Sequence, residues 1–507
     1  MTFEPIASAA APALRAGEGA VRAGRGARVF LETYGCQMNV ADSELVSGIL
    51  RRHGYDAVDD PADADVLLLN TCAIREHAEE RVLGRLSELL RFKHLRPSVQ
   101  LGLLGCMATH QRERLLDRAP YLDLIVGPDG YRDLPALLAA GSDPQVEVRL
   151  DRGETYADLA PDLGAGPRAW LSVMRGCDKF CTFCIVPFTR GRERSLPPEA
   201  VVAHVRTAVA AGKREVVLLG QTVNAYRADG LDFGALLRRV ARVDGLERIR
   251  FTSPHPADVS PSMIAAMAEE PKVMPYLHLP LQSASDAVLE RMERGYSITD
   301  YRRLLTALRR AIPDLAVSTD LIVGFPGETE ADFSETERWL DEARYDFAYL
   351  FKYSAREGTR AHRLGETVSE EEKGRRLRLL IDRQEAISLE RNRDWVGRAV
   401  EVLVEGPAKR PPGHVVGKTR NFKTTVLPLA DAPAGALVGA IVESASAHTL
   451  LARVRPTRET LPSPRSAKPN GDLSHEGNAS LAPFGEAERG PTPCGPGSLR
   501  AHLEPRS

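Results

Sequence analysis

The stretch RGCDKFCTFCIVPFTRGRERS, residues 175–195, sets Cys177, Cys181 and Cys184 in a C-x3-C-x2-C pattern directly after the apolar run WLSVM at 170–174. Iron-sulfur clusters are usually held by four thiolates, so three at this spacing leave one iron of a 4Fe-4S cluster without a protein ligand and open to a substrate. Zinc is the alternative for grouped cysteines. A closed zinc site, however, needs a fourth Cys or His within the local motif, and the nearest, His204, lies well beyond it.

Outward from this loop, β-rich runs alternate with helical stretches: WLSVM (170–174), EVVLLG (215–220), RIRFT (248–252), YLHLP (276–280), AVSTDLIVG (316–324) and FAYLF (347–351). Such alternation predicts parallel strands with helical crossovers. Six units fall short of the eight that close a barrel, so residues 163–394 are expected to form a six-fold βα partial barrel ending in a charged helix from Ser369 to about Asp394. Toward the N-terminus, RVFLETY (28–34), DVLLLN (65–70), VQLGLLG (99–105) and DLIV (123–126) alternate with amphipathic segments starting near Asp42, Glu76 and Gln111. Residues 28–144 therefore read as an open parallel α/β domain.

Cys36, Cys72 and Cys106 are too far apart in sequence for a local metal motif, yet each follows the end of a predicted strand (TYGC, LLNTC, LLGC). The C-terminal ends of strands in an open α/β sheet face one crevice, so the three thiolates are expected to converge and hold a second cluster with an open iron. The alternative is three buried structural cysteines.

Composition bounds the rest. Of 507 residues 43% are hydrophobic and 27% charged, and 67 basic against 69 acidic residues leave a formal charge of -2, which excludes attraction of the whole molecule to a polyanion. Any nucleic-acid contact must then come from a local patch. The longest apolar run, Ala432 to Val442, is short and broken by Pro433 and glycines, so no membrane span is expected. Seven unevenly spaced cysteines and no recognisable signal peptide point to a reducing cytoplasm. Residues 395–456 change to Val-rich runs broken by Pro and Gly, as in a small β-barrel, while 1–27 and the Pro- and Gly-rich 457–507 are expected to be disordered.

TYGCQMNVADSE, NTCAIREHAEERV and GCMA in the first domain, the Arg175–Ser195 stretch, and GQTVNAY, TSPHP, HLPLQS and DLIVGFPGETEADF in the barrel resemble the radical S-adenosylmethionine enzymes, and among them the tRNA methylthiotransferases of the MiaB type, over about residues 28–455. The resemblance implies two 4Fe-4S clusters and S-adenosylmethionine as cofactors, and a C-terminal RNA-binding barrel of the TRAM kind. It also implies methylthiolation of C2 of isopentenyl-adenosine at position 37 of tRNA. Ile74, Arg75 and Glu76 after Cys72 favour this substrate over threonylcarbamoyl-adenosine in tRNA or an aspartate of a ribosomal protein. An iron-sulfur RNA-binding protein without catalysis is the reading from another class. The implied partners are the anticodon stem-loop, an electron donor and a sulfur donor, with the chain acting as a monomer. Departures from the family pattern are Thr222, Leu196, Lys418 and Cys494, and none is expected to touch a cluster ligand.

Polar residues at strand ends are candidates for holding S-adenosylmethionine, chiefly Gln221 and Gln282, with Asn224, Ser283 and Asp320 beside them. GFPGE at 324–328 lacks the Lys and Ser or Thr of a P-loop and reads as a close-approach loop beside the cofactor. For RNA, Lys418, Arg420 and Lys423 alternate along a turn with Phe422 between them, which suggests a stacking platform in a basic patch. Lys409, Arg410, Arg453 and Arg455 lie in the same barrel, and Arg190, Arg192 and Arg194 form a second basic run.

Overall fold

In the computed structural model the described residues are 26–73, 76–140, 144–429 and 432–455. The expectations for the two termini, for Ile74 and Arg75 and for Cys494 fall outside them. Among the described residues, the N-terminal part is a six-stranded parallel sheet. Its spatial order is Asp56–Ala57, Arg28–Tyr34, Val66–Thr71, Gln100–Gly105, Leu124–Val126 and Gln145–Glu147. The two central strands are covered on both faces, which is why LLL at 67–69 and LLG at 103–105 are continuous apolar runs rather than alternating ones. Leu67, Leu68 and Leu69 are fully buried, each contributing roughly 1.5–3 kcal/mol from lost apolar surface. The order of strands reverses between Arg28–Tyr34 and Val66–Thr71, and at such a switch point the strand ends open a crevice.

The six core strands are Arg168–Ser172, Glu215–Leu219, Arg248–Phe251, Tyr276–His278, Ala316–Val323 and Phe347–Lys352. They form two three-stranded parallel sheets, joined where Ile249 bridges Val273 just ahead of Tyr276. The result is the expected partial barrel. A short antiparallel ribbon, Met174–Arg175 with Arg194–Ser195, closes the base of the cysteine loop, a feature the sequence pattern does not signal. The charged helix runs Glu370–Arg393, with Ser369 Oγ accepting from Glu372 N.

Five strands of the C-terminal part close into a barrel: Ala399–Pro407, Val415–Thr419, Thr424–Leu427, Leu437–Ala445 and Leu450–Val454. It docks on the end of the core where the strands start. Arg248 and Arg250, at the start of the third core strand, donate to the carbonyls of Lys418 (2.8 Å) and Thr419 (2.7 Å), and Arg168 donates to Glu405 (2.8 Å). The first helix of the N-terminal domain, Gln37–Arg52, packs against the first two core strands. Met38 and Ala41 pack against Val217 and Leu219, with Cys36 and Trp170 alongside. No helix among the described residues is long and apolar enough to cross a membrane.

Candidate active site at the facing strand ends

The first helix starts at Gln37 rather than near Asp42, because Cys36 N is held by Asn39 Oδ1 at 3.3 Å and the chain turns at the cysteine itself. Asn39 Nδ2 in turn donates to Asn70 Oδ1 (3.3 Å) and the Thr71 carbonyl (3.1 Å), tying the Cys36 turn to the strand that leads to Cys72. Gly35, at φ +146°, leaves no room for a side chain: a Cβ would stand 2.8 Å from Cys72 Cβ. The third cysteine opens the helix Cys106–Gln111, again earlier than the Gln111 start expected. Its predecessor Gly105 has φ +93°, and a Cβ there would lie 2.4 Å from Asn70 Oδ1 and 2.5 Å from the Thr71 carbonyl. Two glycines thus let three strand ends crowd together. Hydrogen bonding with Cys72 and the Arg190 charge hold the Cys36 thiol below its ordinary range, while burial pushes Cys106 up against the opposing pull of Arg190.

In the core loop, burial raises Cys177 and pushes Cys184 up to about 12, so both thiols are stable as neutral groups unless a cation or metal compensates the thiolate. Arg294 Nη1 donates to Cys181 Sγ at 3.2 Å, and the Thr222 hydroxyl lies 3.1 Å from Cys177 Sγ. That contact corrects one expectation: Thr222, a departure from the family pattern, does touch a candidate ligand. Ile185, next to Cys184, shares a buried cluster with Cys106 and with Ala73, next to Cys72, so the two cysteine sets abut.

Among the described residues no three His, Cys, Asp or Glu side chains stand close enough to hold a single metal ion. The donor set suits iron and sulfide, being all thiol, largely buried and attended by guanidinium donors.

Gln221 follows the second core strand, and both polar atoms of its side chain are buried without a hydrogen-bond partner among the described residues. His255, of the TSPHP stretch, shares this state: its Nδ1 accepts from Ala257 N at 3.3 Å, which puts the ring proton on Nε2, and Nε2 is buried and unpartnered. Groups left unpaired at this depth cost roughly 1–3 kcal/mol each, a cost that a polar ligand removes. Burial and the nearby Arg294 keep the imidazole neutral. Sequence reasoning passed over His255 as a site residue; its place in TSPHP, after the third strand, was the available signal. Gln282 has φ +78° and splices the chain onto the fifth strand, its N–H bonded to the Asp320 carbonyl (2.8 Å) and its carbonyl to Ile322 N (2.9 Å). Asn224 and Ser283 are engaged within the fold, with the His255 main chain and with Thr336 and Ser285 N, and Asp320 Oδ2 lies 3.3 Å from His278 Nε2. The GFPGE loop does approach closely, but its neighbours are protein. A Cβ on Gly324 would meet Lys373, and Phe325 packs edge-on against Phe183 of the cysteine loop.

The expected RNA patch is corrected. Lys423 is 8% exposed and its ammonium lies 2.6 Å from Asp346 Oδ1. Lys418 Nζ donates to Thr424 Oγ1 at 2.7 Å and sits over the Phe422 ring, and Arg420 donates to the Pro271 carbonyl at 2.6 Å. Phe422 stacks on Tyr276 of the core at 4.6 Å between ring centres. The turn is a plug between barrel and core, on the side of the core away from the cysteines. Arg190 and Arg194 are likewise buried in ion pairs with Asp42 (2.7 Å) and Asp129 (2.6 Å). Arg192 is exposed beside Asp178, and Lys409, Arg410 and Arg453 remain on the outer surface.

The chain's likenesses agree with this geometry. Residues 171–340 match the radical SAM superfamily and residues 28–127 match "Uncharacterized protein family UPF0004". A tRNA-2-methylthio-N(6)-dimethylallyladenosine synthase of Chlorobium luteolum is 44% identical over 430 residues, covering 84% of this chain and 96% of that protein. One of Rhodopirellula baltica is 41% identical over 456 residues, covering 84% and 95%. Among solved structures, the radical S-adenosylmethionine methyltransferase TsrM of Kitasatospora setae superposes with a TM-score of 0.53 at 13% identity, over 66% of this chain and 77% of that one, a likeness of fold. Two cysteine sets on facing strand ends and identity above 40% along most of the chain lead to one conclusion: the chain belongs to the MiaB-type tRNA methylthiotransferases, radical S-adenosylmethionine enzymes with a UPF0004 N-terminal domain.

Proposed function

We propose that this enzyme replaces the hydrogen at C2 of N6-isopentenyl-adenosine in the anticodon loop of tRNA with a methylthio group. C2 of adenine is neither acidic nor nucleophilic, so proton transfer cannot open it and radical abstraction can. Cys177, Cys181 and Cys184 would hold one 4Fe-4S cluster, and Cys36, Cys72 and Cys106 a second. When bound, the first supplies the electron that cleaves the sulfonium of S-adenosylmethionine, and the second the site from which sulfur is transferred.

The protein's own part is placement and shielding. Gln221 and His255 offer unpaired polar atoms to the methionine or adenosine portions of the cosubstrate, and Gln282 shapes the strand end beside them. The observation that carries the reading is the contact of Ile185 with Ala73 and Cys106, which makes both thiol sets neighbours of one reaction space. The relatives' names favour isopentenyl-adenosine over the threonylcarbamoyl and aspartate substrates. The deciding measurement is mass spectrometry of tRNA nucleosides from a strain lacking the protein. Loss of the methylthio group from isopentenyl-adenosine is expected, and restoration by the intact chain but not by Cys36→Ala completes the test. An unchanged nucleoside profile refutes the reading.

A further inference from the structure

Arg190 Nε donates to Cys106 Sγ at 3.1 Å, and Arg190 Nη2 donates to Asp42 Oδ2 at 2.7 Å. Asp42 Oδ1 accepts from Arg175 Nη2 at 2.8 Å. Asp42, Arg175 and Arg190 are 0%, 2% and 3% exposed. They come from different parts of the chain: Asp42 from the helix that Cys36 opens, Arg175 from the ribbon closing the Cys177–Cys184 loop, and Arg190 from the short helix Val186–Arg190 after Cys184.

The charges in this buried set do not balance. Arg194, paired with Asp129 at 2.6 Å, extends it to three guanidiniums against two carboxylates. Arg190 Nη1 and Arg175 Nε are moreover buried without a partner among the described residues. A surplus cation taken out of water is costly unless an anion offsets it, and the sulfurs of this site are the groups placed to do so once they are thiolate ligands: Cys106, which Arg190 Nε touches, and Cys36, which feels the same charge. Hydrogen bonds to ligand sulfurs and local net charge are also what set the reduction potential of an iron-sulfur centre.

We propose that Arg190 is a positioning residue for the Cys36, Cys72 and Cys106 site: its guanidinium fixes the Cys106 sulfur and supplies the buried positive charge that makes a cluster there easier to reduce. The proposal rests on the reading that these cysteines hold a cluster. Asp42 and Arg175 act through Arg190 by locking its plane.

The test uses the full chain with Cys177, Cys181 and Cys184 changed to Ala, reconstituted anaerobically so that only the N-terminal site is filled. Iron and sulfide are assayed, and the midpoint is read by a dithionite titration followed by electron paramagnetic resonance, in which the reductant gives one electron and no bond is made. Arg190→Gln is expected to keep its iron and to disfavour reduction on the order of tenfold, about 59 mV for one electron. Arg190→Lys should recover part of the shift. Full iron with an unchanged midpoint in Arg190→Gln overturns the proposal. Should Arg190→Gln lose its iron, Arg190→Lys decides: iron retained there, with charge but no planar fork, supports the proposal, and iron lost there as well overturns it. A parent protein that binds no iron before position 190 is touched refutes the two-cluster reading, and the role of Arg190 falls with it.

Discussion

The ammonium of Lys423, in the terminal barrel, lies 2.6 Å from Asp346 Oδ1, at the start of the last core strand, and both side chains are under 10% exposed. Asn392 Oδ1 accepts from the same ammonium at 2.8 Å. Removing one partner of a buried pair typically costs about 3–5 kcal/mol. Lys423→Ala should therefore lower the melting temperature markedly, while the salt dependence of tRNA affinity stays at the native slope, since no phosphate contact is lost. A flattened slope in filter-binding assays would return Lys423 to the RNA surface.

Gly105→Ala should disable the N-terminal site without touching a cysteine. The new methyl group would meet Asn70 and the Thr71 carbonyl, and φ +93° disfavours any side chain. Iron after anaerobic reconstitution should fall toward half of the intact protein's value, with cleavage of S-adenosylmethionine retained.

Gln221→Leu removes a buried amide that has no partner among the described residues. If that amide serves the cosubstrate, the variant should be at least as stable as the parent and bind S-adenosylmethionine roughly tenfold more weakly, the equivalent of about 1.4 kcal/mol. Anaerobic equilibrium dialysis measures this. Equal affinity would make Gln221 a structural residue.

Burial pushes the Glu44 carboxyl up to about 7 from an ordinary 4.5, although Gly164 N donates to its Oε1 at 3.0 Å. The native state thus holds a proton that the unfolded chain gives up. Stability should fall as pH rises from about 4.5 to about 7 and level off above. Glu44→Gln removes that loss, so its advantage in chemical denaturation should be absent below about pH 4 and reach on the order of 1–3 kcal/mol at pH 8.

Much of this was legible in the chain. The strand RVFLETY falls on Arg28–Tyr34, and Cys36, Cys72 and Cys106 do follow the ends of three neighbouring parallel strands, as the sequence placed them. The helix starts were harder to read: at Cys36 and Cys106 the turn is fixed by Asn39 and by a glycine, not by the apolar periodicity farther along. Basic residues misled for a related reason. Lys423 and Arg194 look like solvent-facing charges until Asp346 and Asp129, distant in sequence, arrive beside them. A charge pattern records the sign of a residue and not its counter-ion. His255 was passed over because its unpaired Nε2 is a property of its surroundings rather than of the motif.

The docking of the terminal barrel bears on how this architecture tolerates exchange of parts. Glu215 is fully buried between Arg168 and Arg250, and Arg250 reaches on to the carbonyls of Thr419 and Arg420. A core cut free near residue 395 would leave Arg250 without those acceptors and Arg248 without the Lys418 carbonyl and Glu401, and would open the Glu215 pairs to water. A foreign barrel grafted in its place would have to supply them in the same geometry. The barrel is in that sense a keystone, and chimeras that trade it between relatives should hold only when the strand starts of the core are traded along with it.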